Sequence, residues 1–185
     1  MCLLVVHGYL KVCLKAKIKD KTVRVWDLSG KTSVKVLEHP SDVQCVLLKD
    51  NLIISGGSDA VVKLWDMSGY EIASLVGHKS AIKSIDRELS TIVTGSDDTW
   101  VKIWYLLIEN EGNNIKRDIE TSSLLYTLSG HKKGVWSVLL SGSTLYSGDD
   151  HCLKMWDVRT GKEVSSWNYS VTCMKVRKEV GLGEN

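Results

Sequence analysis

Four short segments of the chain share one pattern, in which an Asp stands six residues before a Trp. They are DKTVRVWD at Asp20–Asp27, DAVVKLWD at Asp59–Asp66, DTWVKIWY at Asp98–Tyr105 and DHCLKMWD at Asp150–Asp157. The successive tryptophans are 39, 39 and 52 residues apart. Self-similarity at such a period is typical of repeat proteins, in which each unit buries its apolar faces against its neighbours. This repetition constrains the fold more than any other feature of the chain.

The longer last interval contains an insertion. The 13 residues ENEGNNIKRDIET, from Glu109 to Thr121, account for the excess over 39. They are polar and strongly charged, which predicts a surface loop added to a repeat.

A histidine precedes three of the four motifs, and the segments between them have the pattern of short strands. The histidines His39, His78 and His131 lie 20, 20 and 19 residues before the aspartates of their motifs. AVVKLWD and WVKIWY alternate apolar and polar residues, as strands with one buried face do. NLIISGG and STLYSG are brief β-type runs that end in Gly-containing turns. About four short strands in each period, with no helical periodicity, predict an all-β repeat.

These motifs resemble the WD-repeat family of β-propellers, whose blades carry a Gly-His pair, a Trp-Asp pair and about this period. Three of the four tryptophans are followed by Asp, and the third is followed by Tyr105. The resemblance implies a propeller of four-stranded antiparallel blades, with about four blades and a partial fifth in an incomplete ring. The repeats would occupy residues 1–38, 39–77, 78–130 with the insertion 109–121, 131–166 and, in part, 167–185.

Family members generally close their ring with about seven blades, whereas this sequence accounts for about four and a partial fifth. The low number of blades needs an explanation. We favour a fragment of a longer protein, because both ends break off inside a repeat. Association of two chains into a larger ring and an unusually small closure are the alternatives.

The resemblance also implies a structural hydrogen-bond network in each blade. Its Asp lies in the turn between the second and third strands, its Trp on the third strand, its His before the first strand and its hydroxyl on the second. The matching residues are His39, Ser55, Asp59 and Trp65; His78, Thr94, Asp98 and Trp104; His131, Ser147, Asp150 and Trp156; and, in the first repeat, Asp20 and Trp26. A buried indole N–H needs an acceptor, and orphaning a buried member costs roughly 1–3 kcal/mol.

Ser, His and Asp in contact also form catalytic triads. We favour the structural interpretation, because the set occurs three times at a structural period and no Gly-x-Ser-x-Gly elbow is present. We therefore expect no enzyme activity and no catalytic residue, and neither a cofactor nor a metal.

Propellers of this family commonly bind ligands on the face that carries the Asp turns. The matching positions are Gln44, Ser58, Lys83, Asp97, Trp136, Asp149 and Thr172. Trp136 is the sharpest candidate, because large aromatic residues are favoured as binding anchors; packing on a neighbouring blade is the alternative. Lys132 and Lys133 beside it would favour an acidic partner peptide.

Composition narrows the function classes. The net charge is +2, and Lys and Arg are scattered among Asp and Glu, which argues against a dedicated nucleic-acid binder. The five cysteines contain no CxxC pair, so they suit neither a zinc site nor a disulfide framework and indicate a reducing compartment. The first apolar run is too short for a signal peptide or a membrane span. We expect the cytosol or the nucleus, without membrane association.

The resemblance thus implies a non-catalytic scaffold or adaptor for protein or peptide partners, such as a substrate-recognition or assembly subunit. The stretch LYSGDDHCLKMWDVRTGK is similar to propellers of ubiquitin-ligase receptors, so a ubiquitin ligase is one complex of this kind. RNA or ribonucleoprotein association is the alternative function.

Overall fold

The computed structural model describes residues 2–7, 10–17, 21–27, 32–107, 110–111, 114–115 and 122–174. These residues form strands, turns and loops without a helix, which confirms the all-β prediction. No helix that could span a membrane is found in this part of the chain. Most of the predicted insertion, and the residues after 174 in the predicted partial fifth repeat, lie outside the described ranges.

The described strands form four antiparallel sheets of four strands each and one two-stranded hairpin. The first sheet has the order β1-β2-β3-β4 and the second has the order β5-β6-β7-β8. The strands of the first sheet are β1 (Cys2–His7), β2 (Leu10–Lys17), β3 (Thr22–Asp27) and β4 (Thr32–Glu38). Those of the second are β5 (Val43–Lys49), β6 (Leu52–Gly57), β7 (Val61–Trp65) and β8 (Glu71–Val76).

The third sheet departs from simple succession, because the insertion falls between its third and fourth strands. Its strands are β9 (Ile82–Glu88), β10 (Thr91–Ser96), β11 (Val101–Leu106) and β14 (Ser122–Leu128). Between the last two lies a hairpin of β12 (Asn110–Glu111) and β13 (Asn114–Ile115). The fourth sheet contains β15 (Ser137–Ser141), β16 (Thr144–Gly148), β17 (Leu153–Asp157) and β18 (Lys162–Trp167).

Apolar side chains fill the space between consecutive sheets. Neighbouring residues of a strand point to opposite faces, so Ile53 and Ile54 of β6 belong to different core clusters, and both are fully buried. One cluster joins the first and second sheets, one the second and third, and one the third and fourth. Trp65, Trp104 and Trp156 each pack toward the preceding sheet. The four sheets are therefore stacked side by side in chain order.

Polar contacts also join the third and fourth sheets along their first strands. Alternate side chains of β9 accept hydrogen bonds from alternate backbone N–H groups at the edge of the fourth sheet. The pairs are Ser84 Oγ with the N–H of Val138 (2.9 Å), Asp86 Oδ2 with that of Leu140 (2.7 Å) and Glu88 Oε2 with that of Gly142 (2.7 Å). An edge strand otherwise leaves such groups unpaired, so this ladder satisfies the edge of β15.

The residues after β18 begin the same pattern again. The Met174 N–H donates to Ser137 Oγ at 2.8 Å, as the Val138 N–H donates to Ser84 Oγ. The Val171 N–H donates to the carbonyl of Asp149, as the Val135 N–H donates to that of Ser96. The chain thus starts a fifth unit against the fourth sheet, as the repeat pattern predicts.

Candidate functional site

The third sheet contains a closed hydrogen-bond network that links its turns to its centre. His78 Nδ1 lies 2.7 Å from Asp98 Oδ2, and His78 Nε2 lies 2.8 Å from Thr94 Oγ1. The indole Nε1–H of Trp104 donates to the same hydroxyl at 3.0 Å. These are the four residues that the sequence assigns to this network, and the structure brings all of them together.

Backbone N–H groups hold the carboxylate of Asp98 in place. Its Oδ2 accepts from the Lys79 N–H and its Oδ1 from the Trp100 N–H, both at 2.9 Å. Burial raises the pKa of Asp98, but these donors and His78 outweigh burial, so the net pKa lies below its ordinary value. Burial lowers the pKa of His78 despite the neighbouring carboxylate. At neutral pH both shifts favour a neutral imidazole, whose Nδ1–H would donate to an ionised carboxylate.

The fourth sheet contains the same network with a different acid. His131 Nε2 lies 2.7 Å from Ser147 Oγ, which accepts the Trp156 indole N–H at 2.7 Å. The carboxylate at His131 Nδ1 belongs to Asp149, at 2.9 Å. The sequence assignment of Asp150 is therefore wrong: Asp150 is exposed, and Asp149 is fully buried.

The length of the turn explains this exchange. In the third sheet, the turn between the paired residues Gly95 and Val101 contains five residues. In the fourth sheet, the turn between the paired residues Gly148 and Leu153 contains four. In the longer turns, the residue after the Asp is left-handed: φ is 68° at Ala60 and 71° at Thr99. None of residues 149–152 has a positive φ. Counting back from the tryptophan therefore selects the wrong carboxylate in the shorter turn.

The network of the second sheet is only partly formed. Trp65 Nε1–H donates to Ser55 Oγ at 2.9 Å, as in the other sheets. His39 is buried, but neither of its ring nitrogens has a hydrogen-bond partner among the described residues. Asp59 Oδ2 lies 3.9 Å from His39 Nδ1, which is beyond a hydrogen bond. The structure therefore joins Trp65 to Ser55 but does not join His39 to Ser55 or Asp59.

The first sheet lacks the network where it can be described. Asp20 lies outside the described residues. Trp26 Nε1 is buried and has no hydrogen-bond partner in the described structure. The position opposite Arg24 on the neighbouring strand is Lys15, whereas the matching positions in the later sheets are the hydroxyl residues Ser55, Thr94 and Ser147. Assigning Trp26 to a hydrogen-bond network is therefore wrong, because no hydroxyl residue stands where its indole needs one.

The predicted partner-binding positions divide into surface pairs and one buried residue. Gln44 Nε2 donates to Ser58 Oγ at 2.9 Å, and Lys83 Nζ lies 3.1 Å from Asp97 Oδ2. Thr172 is exposed. Asp149 is the exception: it cannot present its side chain to a partner, because its carboxylate is buried against His131.

Trp136 directly precedes β15, at the end of the fourth sheet where the Asp turn lies. Its side chain is 41% exposed, and Lys83 Nζ stands 5.1 Å from its ring. Asp97 of the third sheet packs closely against Gly134, in the loop that precedes β15 of the fourth sheet. A Cβ placed on Gly134 would come within 2.7 Å of Asp97 Oδ1. Trp100 lies in the same turn as Asp97. We call the surface formed by Lys79, Lys83, Asp97, Trp100 and Trp136 the turn surface.

Sequence reasoning identified Lys83 but missed Lys79, Lys102 and one half-buried thiol. Lys79 Nζ lies 4.6 Å and Lys102 Nζ 5.3 Å from the Trp100 ring, and such cation–π contacts leave no sequence signature. Cys152 Sγ lies 3.3 Å from His131 Nδ1. Together with Asp149 these two residues present three donor atoms within 4.8 Å of one another, although the three come from separate positions without a recognisable metal-binding spacing.

A family model now accounts for the repeated geometry. The model described as WD domain, G-beta repeat matches residues 31–66, 69–105 and 122–157, which together make up more than half of the chain. The chain belongs to the WD40 repeat family. No curated protein matches it at a significant level.

Each matched WD40 repeat straddles two sheets. The segment 31–66 contains β4 to β7, the segment 69–105 begins before β8 and ends within β11, and the segment 122–157 contains β14 to β17. Each repeat therefore supplies the fourth strand of one sheet and the first three strands of the next. The second and third matched segments are separated in sequence by the residues that include the insertion.

The WD40 networks have little capacity for nucleophilic chemistry. Thr94 and Ser147 are fully buried, and each hydroxyl oxygen already accepts an indole N–H while it contacts a histidine. A substrate carbonyl has no access to these oxygens. WD40 repeats generally mediate protein–protein interaction, and proteins built from them are typically non-catalytic scaffolds.

Proposed function

We propose that this WD40 protein is a non-catalytic scaffold that binds a protein or peptide partner at the turn surface. The exposure of Trp136 carries the proposal. Its chain neighbours Val135 and Ser137 are buried, so the chain places a large aromatic side chain toward solvent between two buried residues. Leaving an indole 41% exposed keeps apolar area available for a partner, and tryptophan is enriched among residues that dominate binding energy.

The charges around Trp136 favour a partner with acidic residues. Lys83 is paired with Asp97, but Lys79, Lys132 and Lys133 are exposed on the loops that precede β9 and β15. Asp150 is the exposed acid of the neighbouring turn. An extended acidic peptide with one apolar side chain would place that side chain on the Trp136 ring and its carboxylates near the lysines. Electrostatic complementarity of this kind contributes to specificity and to the association rate.

Affinity capture from cells with a matched pair of aromatic variants tests this function. Trp136→Ala should lose the captured partner, while Tyr105→Ala should retain it. Tyr105 is a fitting control, because it is exposed to a similar extent, 37%, but pairs with Thr91 at the end of the third sheet opposite the Asp turn. Unchanged melting curves would show that both variants fold. Identical sets of captured proteins for the wild type and Trp136→Ala would contradict the proposal.

RNA association is the second candidate, and the lysines beside Trp100 and Trp136 favour it. Aromatic side chains that stack on bases, next to cations that contact phosphates, are the usual means of binding single strands. An RNA affinity that falls steeply with salt and is lost in Trp136→Ala would support this function over a protein partner. For either function, we propose the cytosol or the nucleus as the compartment.

A further inference from the structure

Three side chains of the fourth sheet bring a nitrogen, an oxygen and a sulfur atom together beside the β16–β17 turn. His131 Nδ1 lies 2.9 Å from Asp149 Oδ2 and 3.3 Å from Cys152 Sγ. All three donor atoms lie within 4.8 Å of one another. The side chains of His131 and Asp149 are fully buried, whereas Cys152 is partly exposed. The cluster is therefore buried on the side of His131 and Asp149 and open toward solvent on the side of Cys152.

The three side chains are held in place by groups outside the cluster. Ser147 Oγ contacts the other ring nitrogen of His131 at 2.7 Å, which fixes the orientation of the imidazole. Asp149 Oδ1 accepts the N–H groups of His151 and Cys152, both at 2.7 Å, which leaves Oδ2 directed at the cluster. Outer contacts of this kind orient the ligands of metal sites. The structural network thus pre-orients two of the three donors.

The donor set matches zinc. Imidazole nitrogen, carboxylate oxygen and thiolate sulfur all bind Zn²⁺, at about 2.0–2.3 Å. In a tetrahedral site such bonds place the ligand atoms roughly 3.3–3.6 Å apart. The observed separations of 2.9 and 3.3 Å therefore need to widen by only a few tenths of an ångström. We propose that His131, Asp149 and Cys152 form a zinc site with one open coordination position.

The protons balance in a simple way. Cys152 Sγ–H releases its proton to solvent when the sulfur binds the metal. The proton of the neutral His131 ring moves from Nδ1 to Nε2, and the Ser147 O–H, which donated to Nε2 before, rotates away from the ring. Ser147 Oγ then accepts the Nε2–H alongside the Trp156 indole N–H, since a hydroxyl oxygen has two acceptor lone pairs. The connection from His131 through Ser147 to Trp156 is therefore retained when the metal binds.

The other WD40 networks provide an internal comparison. Cys152 stands four residues before Trp156, and the matching residues are Trp100 in the third sheet and Val61 in the second. Neither can supply a thiolate. Within the described residues, the fourth sheet alone groups three metal-binding side chains in this way.

Metal titration of the purified chain tests the site. After treatment with a chelator, the protein should bind one Zn²⁺ per chain by calorimetry, with no comparable binding of Mg²⁺. Co²⁺ in place of Zn²⁺ should produce the near-ultraviolet charge-transfer absorption of a cobalt–thiolate bond. Zn²⁺ should also raise the thermal unfolding midpoint.

Cys152→Ser is the decisive variant, because Cys152 is outside the His131–Ser147–Trp156 network and its loss leaves that network intact. It should abolish the cobalt–thiolate absorption and weaken Zn²⁺ binding by more than about 100-fold, beyond the cost of losing an outer partner. Cys173→Ser and Asp150→Asn change an exposed thiol and an exposed carboxylate nearby in sequence and should leave both signals unchanged. Persistence of the absorption in Cys152→Ser, or equal affinity for Zn²⁺ and Mg²⁺ in the wild type, would overturn the proposal.

Discussion

The second and third sheets carry a His, a hydroxyl residue, an Asp and a Trp at the same spacings, with Ser55 in the second and Thr94 in the third, yet of these two only the third closes its network. In the third sheet, His78 contacts both its hydroxyl and its acid at 2.7–2.8 Å. In the second, the ring nitrogens of His39 have no hydrogen-bond partner within the described residues, and Asp59 stands 3.9 Å away. Four matching residues are therefore not enough to form the network, and residues beside them must decide the outcome.

One deciding residue is the one that follows the histidine. In the third sheet it is Lys79, whose backbone N–H donates to Asp98 Oδ2 at 2.9 Å and holds this oxygen near His78. In the second sheet it is Pro40, the single proline of the sequence. Proline has no N–H, so Asp59 loses the donor that would hold its carboxylate against His39.

A second difference lies at the start of the Asp turn. Ser96 Oγ donates to the carbonyl of Ser80 and accepts the N–H of Asp98, which ties the turn to the histidine loop. The matching residue in the second sheet is Gly57, which has no side chain. There the Asp59 N–H donates to Ser41 Oγ instead, at 3.1 Å. The position of the carboxylate thus depends on backbone and hydroxyl contacts that the four-residue motif does not include.

The largest effect should come from removing the acid of the closed network. Asp98→Ala should lower the free energy of unfolding by about 3 kcal/mol, because it leaves the buried imidazole of His78 and two backbone N–H groups without their acceptor. Asp59→Ala should cost less than about 1 kcal/mol, since His39 already lacks this hydrogen bond. Urea unfolding of both variants measures the difference. Equal losses would show that the two networks are equally formed in solution.

A smaller effect should come from exchanging the residue after the histidine. Lys79→Pro should lower the free energy of unfolding by about 1 kcal/mol, because the lost hydrogen bond to a charged acceptor exceeds the gain from a stiffer unfolded chain. Lys79→Ala keeps the backbone N–H and is the matched control, with a loss of only about 0.5 kcal/mol from the contact with Trp100.

The reverse exchange, Pro40→Lys, should give His39 a slowly exchanging Nδ1–H signal in the proton NMR spectrum, of the kind that we expect for His78 from its contact with Asp98. If Lys79→Pro and Lys79→Ala had the same stability, or if Pro40→Lys left the His39 signal unchanged, the missing N–H would not be the cause of the open network.

The mildest effect should be a dependence of stability on pH just below neutrality. Burial lowers the pKa of His39, His78 and His131 in the folded chain. The unfolded chain therefore binds more protons as the pH falls below about 6.5, so the stability present above that value decreases on acidification. The lowered pKa values of Asp98 and Asp149 add a further loss at more acidic pH. Unfolding curves between pH 7.5 and about 5 measure the trend, and a flat or rising stability on acidification would contradict it.

The sequence predicts the fold because the pattern of strands and turns is local and repeated. The period of 39 residues places one tryptophan on the third strand of each sheet, and the alternation of apolar residues fixes which side chains enter the core. The insertion does not disturb this prediction, because it lies in the connection between β11 and β14, outside the four-stranded sheets. Tyr105 stands where the other repeats have Asp. In the second sheet, Asp66 accepts the Tyr70 N–H in the short turn between β7 and β8, whereas in the third sheet 15 residues separate β11 from β14 in sequence.

The candidate site is less predictable, because it depends on single atoms. Asp149 and Asp150 are adjacent and chemically identical, and only a turn shortened by one residue decides which carboxylate reaches His131. Trp26 lacks a hydroxyl acceptor because Lys15 occupies the position that Ser or Thr occupies in the later sheets. This difference is evident only from the strand register. The grouping of Cys152 with His131 follows from the same shortened turn. Which side chains contact His131 and Trp26 depends on backbone geometry, and residue spacing in the sequence predicts that geometry only approximately.

The offset between repeat and sheet has a consequence for how such a chain can change its length. Excising residues 69–105 as one genetic unit would remove β8 to β10 and nearly all of β11, and β14 would then follow β7 as its fourth strand. Duplicating the same unit would add a sheet whose own last strand comes from the copy that follows. Gain or loss of a whole unit therefore leaves every remaining sheet with a full complement of strands, so the architecture can grow or shrink by recombination without passing through a broken intermediate.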